Sequence, residues 1–150
     1  MELHVRILDR IRAAMAAGHN AIPLGRAMGF HAIEVDEGRA IIELDTKDHH
    51  LNTMGRLHGG VLCTIADTAM GVAHACALPE SATSATVEMK INFLRPAAAG
   101  MKLRADGKVI HMGRTVGVCE CDITDEKGNL IAKSTGTFMS IPVGDAKFKS

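Results

Sequence analysis

The sequence predicts an α+β fold, with one long, nearly uncharged helix wrapped by a strongly curved antiparallel sheet of about six strands and an extra helix at the amino end. Three observations lead there. Residues 57–79 carry a single formal charge, Asp67, in an otherwise apolar run. Segments with strand-like periodicity flank that run, two before it and four after it. At 150 residues and 47 % hydrophobic composition, the chain suffices for one core and is too short for two. A helix that is oily on most sides has to be covered, and a curved sheet is the only material here long enough to cover it.

Along the chain, residues 2–17 set Leu3, Ile7, Leu8, Ile11 and Met15 at helical spacing with charged residues between them, and Gly18 stands where a helix would end. A short second helix follows over 23–28, with Asn20 as candidate cap and Gly29 as stop, so that 1–29 forms a helical extension. Residues 31–35 and 39–45 read as a hairpin around Asp36-Glu37-Gly38, and 49–56 as a polar loop. The long helix begins near His58 or Gly59. At 100° per residue, Leu62, Ile65, Ala69, Val72 and Cys76 fall on an oily face, while Gly60, Cys63, Thr64, Asp67, Met70, Gly71 and His74 fall on the other. A glycine inside a helix costs about 1 kcal/mol relative to alanine. Gly71 therefore predicts a close approach to the backbone.

From 83 onward the period changes to that of strands, over 83–94, 101–111, 115–124 and 130–141. In the first of them Thr86, Glu88, Lys90 and Asn92 alternate with Val87, Met89, Ile91 and Phe93, the pattern of a sheet with one covered face. Residues 144–150 read as a loose tail to a single domain over 1–150.

Composition removes several function classes. Lysine plus arginine equals aspartate plus glutamate at 17 each, which leaves no basic surplus for nucleic acid. Charges in the first fifteen residues interrupt any secretory signal, so a cytoplasmic location is expected. The apolar run has membrane-spanning length, but Asp67, His58, His74 and its glycines argue against a span. Cys63, Cys76, Cys119 and Cys121 lack C-x-x-C spacing and read as small buried hydrophobes, and His49-His50 has no partner at metal-ligand spacing. No metal or cofactor is expected. Asp67 is different, because a lone carboxylate in apolar surroundings costs several kcal/mol unless compensated. It is read as a group kept dry and ionised for chemistry.

The segments LNTMGRLHGGVLCTIAD and TVEMKINFLRPA, in that order and spacing, resemble the PaaI-like hotdog-fold acyl-CoA thioesterases over about residues 30–141. The resemblance implies a site made from Asn52, His58, Gly59 and Asp67, with Thr86 as the hydroxyl residue of the following strand. It also implies Met28 and Phe30, with Met15 and Leu24, as pocket lining, and dimers that pair into tetramers. Gly60 at the helix start and Thr64 on the Asp67 face join the substrate contacts. Arg95, Lys102, Arg104 and Arg114 are candidates for the coenzyme A phosphates, although a solvated strand end is the commoner reading of any one of them.

The chemistry of thioester hydrolysis fits these residue types. It needs an activated water or nucleophile at the carbonyl carbon and donors aimed at the oxygen where charge develops. Asp67 is suited to be general base or nucleophile, and the Gly59 N–H at a helix N-terminus to polarise the carbonyl. Asn52 is suited to orient the water or thioester, whereas His58 is read as shaping its loop and His74 as structural. Gly59 and Asp67 stand eight residues apart, about 12 Å along a helix axis, yet both must lie about 3 Å from the reacting group. The expectation is a two-fold dimer in which each site takes Gly59 from one subunit and Asp67 from the other. The rival function is a non-catalytic acyl-CoA binding or sensing module, which would not require the carboxylate.

Overall fold

The computed structural model describes residues 6–144. Helices α1 (Ile7–Ala16) and α2 (Pro23–Met28) precede strands β1 (Phe30–Asp36) and β2 (Arg39–Asp45). A 3-10 turn at Asp48–His50 leads to the long helix α3 (Gly59–Cys76). Four strands follow it: β3 (Ala82–Phe93), β4 (Lys102–Met112), β5 (Val116–Thr124) and β6 (Leu130–Pro142). The predicted elements are all present, most boundaries lying within two residues of expectation. The sequence-stretch 1–5 of the first helix and 145–150 of the tail fall outside the described residues.

The six strands form one antiparallel sheet in the order β1-β2-β4-β5-β6-β3, so β1 and β3 are its edges. Irregularities at Ile33, Val87 and Ile110 interrupt the register, and such bulges bend and twist strands. The sheet curls around α3. Its inner face and α3 share a core that includes Phe30, Ile42, Leu44, Ile65, Met70, Leu103, Ile123 and Phe138, all at most 1 % exposed.

Glycines on the inner face set how closely the helix can lie. At Gly107 of β4 a Cβ would sit 2.5 Å from the Ala69 carbonyl oxygen and 2.7 Å from the Met70 nitrogen. At Gly117 of β5 it would meet the His74 ring at 2.6 Å, and at Gly136 of β6 the Phe138 ring at 2.9 Å and Met70 Cε at 3.3 Å. Met70 and His74, expected on the polar face of the helix, are therefore fully buried: the sheet wraps more than half of the helix circumference and has notches for both. Val72, expected to be oily and covered, is only half-buried. At Gly71 a Cβ would make only an ordinary 3.5 Å contact with Phe138, so none of the described residues presses on its backbone.

Helix α1 closes the other end of α3. Leu8 and Ile11 pack with Val35, Ala40, Ala73 and Cys76 in a second cluster. Arg6 donates to Glu37 at 2.8 Å and to the Cys76 carbonyl at 3.2 Å, and Arg12 donates to the Val35 carbonyl at 3.2 Å. Gly29 ends α2 in the left-handed conformation, φ 84°, as its predicted stop role requires. The Gly107 contact is with backbone, which cannot swing aside. Gly107→Ala is expected to lower the unfolding free energy by roughly 3 kcal/mol, the upper end of overpacking costs, measured by urea denaturation.

Candidate active site

Helix α3 lies along the edge strand β3 and runs opposite to it, so three residues of the helix meet three of the strand in reverse order. Gly59 lies beneath the Phe93 ring, where an added Cβ would stand 3.0 Å from Cζ. Thr86 Oγ1 donates to Asp67 Oδ1 at 2.8 Å. His74 Nδ1 and Ser84 Oγ are hydrogen-bonded at 2.8 Å.

The Thr86 contact depends on the β3 bulge. Simple alternation sets Thr86 on the same side as Glu88, whose carboxylate accepts from Thr137 Oγ1 on the outer face. The extra residue at Val87 reverses the phase, turning Thr86 toward the helix while Glu88 stays outside. Asp67 itself is half-buried rather than dry, because its face of α3 reaches past the sheet edge and only one flank is covered, by β3. It floors a groove of about 220 Å³ with Gly71, Ala75, Ser84, Thr86 and Ile7 of α1. A separate groove of about 330 Å³ at the helix tip is lined by Gly59, Phe93, Leu94 and Arg95.

The loop before α3 is fixed by two histidines. His50 is 3 % exposed; its Nδ1 accepts the Lys47 N–H at 3.0 Å, so its Nε2–H donates to the Met28 carbonyl at 2.8 Å. Its own carbonyl accepts the His58 N–H at 2.9 Å. His58 then caps α3, its Nδ1 accepting the Gly60 N–H at 2.8 Å, which makes the neutral ring the Nε2–H tautomer. Gly60 N–H is thereby occupied, whereas the Gly59 N–H has no acceptor among the described residues. The positioning role of His50 has no signature in the sequence, since its partner Met28 lies 22 residues away.

The remaining predicted residues fall in different places. Asn52 Oδ1 accepts the Met54 and Arg56 N–H groups at 2.9 and 3.2 Å, so it shapes the loop through its oxygen. Thr64 lies between Gly60 and Asp67 on the helix, and its hydroxyl donates to the Gly60 carbonyl at 2.8 Å. Arg95 lines the Gly59 groove while donating to the Leu130 carbonyl at 2.8 Å. Arg114, exposed in the β4–β5 turn, lines neither groove. Met28 and Phe30 also line neither. Phe30 begins the opposite edge strand with its side chain fully buried in the core, and Met28 packs on that core. A larger groove of about 560 Å³, between α1, α2 and β1, includes Met15 and Phe30 in its wall but has no carboxylate in its lining.

Burial pushes the His74 imidazole below its ordinary pKa, so the ring stays neutral. The same cause raises Cys76 to about 11 and Cys119 to about 12, and raises Cys121 as well, which keeps these thiols protonated and inert. All four cysteines are free, with Cys63 half-buried.

Known proteins match this arrangement. A sequence model described as the thioesterase superfamily matches residues 54–132. The acyl-coenzyme A thioesterase PaaI of Escherichia coli is 35 % identical over 111 residues, covering 74 % of this chain and 77 % of that protein. Human acyl-coenzyme A thioesterase 13 is 31 % identical over 101 residues, covering 67 % and 71 %. The solved structure of E. coli PaaI superposes with a TM-score of 0.79 at 27 % identity, over 90 % of this chain and 96 % of that one.

The cap makes a testable distinction for His58. His58→Ala is expected to cost about 1 kcal/mol of stability, and His58→Asn or His58→Ser to recover it together with turnover, because those residues cap equally well. Loss of turnover in all three, with stability restored in the last two, would show that His58 serves turnover by more than its cap.

Proposed function

This chain belongs to the thioesterase superfamily, as a thioester hydrolase of the PaaI-like hotdog group, and on that premise we propose that it hydrolyses acyl-CoA thioesters to free acid and coenzyme A. The observation that carries the reading is the Thr86–Asp67 hydrogen bond in a groove beside Gly71. Thr86 engages Oδ1, which leaves Oδ2 without a hydrogen bond among the described residues and available for chemistry. Asp67 takes a proton from the attacking water through it, or attacks the carbonyl carbon itself; either route requires the ionised form. The carbon–sulfur bond then breaks and coenzyme A leaves as thiolate, to be protonated by solvent; on the second route water then hydrolyses the Asp67 mixed anhydride, which frees the acid and restores the carboxylate. The Gly59 N–H, reinforced by the positive end of the α3 dipole, stabilises the oxyanion, a contribution of about 3 kcal/mol for one such donor. Coenzyme A is part of the substrate and no separate cofactor is needed. Of the candidate basic residues for a phosphate, Arg95 is the one that lines the groove beside Gly59.

Gly59 and Asp67 line different grooves, and the eight helical steps from one to the other make about 12 Å. A second copy resolves the separation. Edge strand β3 exposes Val87 and Phe93 at 54 % each and Leu94 at 51 %, an apolar fringe beside unpaired backbone. Since Thr86 marks Asp67 and Phe93 marks Gly59, antiparallel pairing of two β3 strands about a two-fold axis near Met89 and Lys90 sets each Asp67 against the other copy's Gly59. Exposed Ile110, Met112, Val116 and Met139 support a further contact between dimers. Free, inert cysteines suit a reducing cytoplasm. No helix of the described residues is long and apolar enough to cross a membrane.

Release of coenzyme A from a panel of acyl-CoAs, followed with a thiol reagent, tests the chemistry. Asp67→Ala and Asp67→Asn are expected to lower kcat by about 10²–10⁴, the range for a general base, while the proteins stay folded. Turnover kept within a few-fold of wild type in both would overturn the role of Asp67. Tight acyl-CoA binding by the wild type with no thiol release would point to the non-catalytic binding module.

A further inference from the structure

The groove at Asp67 contains a second hydroxyl that the hydrolysis scheme leaves unused. Of the hydroxyls that line it, Thr86 donates to Asp67 and Thr68 donates to the Thr64 carbonyl at 2.7 Å. Ser84 is engaged only with His74 among the described residues. Alternate strand residues are about 6.6 Å apart, so Ser84 lies about 7 Å along the groove from Thr86. The space between is bordered by Gly71 and Ala75, small enough to leave room for a chain. Its volume of about 220 Å³ is below the ~300–1,000 Å³ of a whole small-molecule site, and so suits one end of a ligand.

The direction of the Ser84 hydrogen follows from the histidine. His74 is fully buried, and its Nε2 has no partner among the described residues. That nitrogen faces Gly117, where even a Cβ would come within 2.7 Å. A neutral ring carries one proton. On Nε2 it would be a buried N–H with no acceptor, a costly state; on Nδ1 it is donated to Ser84 Oγ, and Nε2 keeps only a bare lone pair. The second arrangement is the cheaper one. Ser84 Oγ accordingly accepts from His74, and its own O–H is free to donate. Ser140 lies across the strand pair from Ser84, but its buried hydroxyl is not hydrogen-bonded to it.

We propose that Ser84, oriented by His74, is a specificity residue that recognises an acyl group bearing a hydroxyl or keto oxygen about 7 Å from the thioester carbon. The inference rests on the acyl-CoA reading and adds which acyl class the site prefers. Ser84 would touch the substrate; His74 is a positioning residue acting through it. A groove built to donate a hydrogen bond disfavours a chain that leaves the donor unpaired, which is the physical origin of the preference.

The test compares 6-hydroxyhexanoyl-CoA with hexanoyl-CoA, reading the ratio of their kcat/KM values. Wild type is expected to favour the hydroxylated substrate, and Ser84→Ala to reduce that ratio by about tenfold, the effect of one net hydrogen bond. Ser84→Thr retains the hydroxyl and should retain the ratio, while His74→Leu should lower it through loss of orientation. A merely structural role would lower both rates together and leave the ratio unchanged. If Ser84→Ala does not fold, Ser84→Cys, close in volume and a weak donor, supplies the same comparison. A wild type that hydrolyses both substrates equally well, or a ratio unmoved in the Ser84→Ala and Ser84→Cys variants, overturns this assignment alone. A wild type that hydrolyses neither, nor any other acyl-CoA, overturns the acyl-CoA reading with it.

Discussion

The close seating of α3 on three glycines of the concave sheet face is the constraint from which the rest of the structure follows. Gly107 admits the helix backbone at Ala69 and Met70, Gly117 admits the His74 ring, and Gly136 leaves space for Met70 and Phe138. With the helix held this deep, the sheet covers most of its circumference. The strip left over carries Cys63, Asp67, Thr68 and Gly71, all half-buried, and it lies against edge strand β3. A charge that would be prohibitive in the core is tolerable on this strip. It has a hydroxyl donor on one side and open space on the other.

That geometry also separates the two groups of the proposed chemistry, Gly59 and Asp67. A helix end offers free N–H groups and positive potential, while a carboxylate near its middle sits two turns away. No bend in α3 brings them together within one chain, as the helix is continuous from Gly59 to Cys76. Edge strand β3 carries both addresses, Phe93 for the tip and Thr86 for the acid, in the order that a two-fold axis would interchange. Exposed backbone at a long edge is ordinarily an aggregation hazard, and in the proposed dimer pairing with an identical edge would remove the hazard and complete the site.

Much of the fold was legible because each element had a strong local signal: the uncharged run of α3, the glycine stops after the first two helices, and the two-residue alternation of β4 to β6. What was not legible depended on tertiary register. The bulge at Val87 has no marker in TVEMKINF, yet it alone decides that Thr86 faces Asp67 while Glu88 does not. Met70 and His74 were assigned to the polar side by angle, but their burial is set by glycines more than thirty residues later in the chain. Phe30, an expected pocket residue, fills the core and borders the groove beside α1 and α2, on the sheet edge away from the acid. The roles of His58 and His50 divide instructively. A residue at a helix start can be read as a cap or loop former from position, whereas a ring bridging Lys47 to Met28 cannot.

The shared site is tested most directly by mixing two inactive variants. Gly59→Pro removes the donor N–H at the first helical position, where proline is tolerated, and Asp67→Ala removes the carboxylate. When the two are co-expressed, each mixed dimer has one doubly defective site and one intact site if the sites are shared. The account predicts recovery of about a quarter of wild-type activity in a random mixture, since half of the dimers are mixed and each restores one site of two. Activity no greater than that of the separate variants, in a mixture shown to contain mixed dimers, would contradict it.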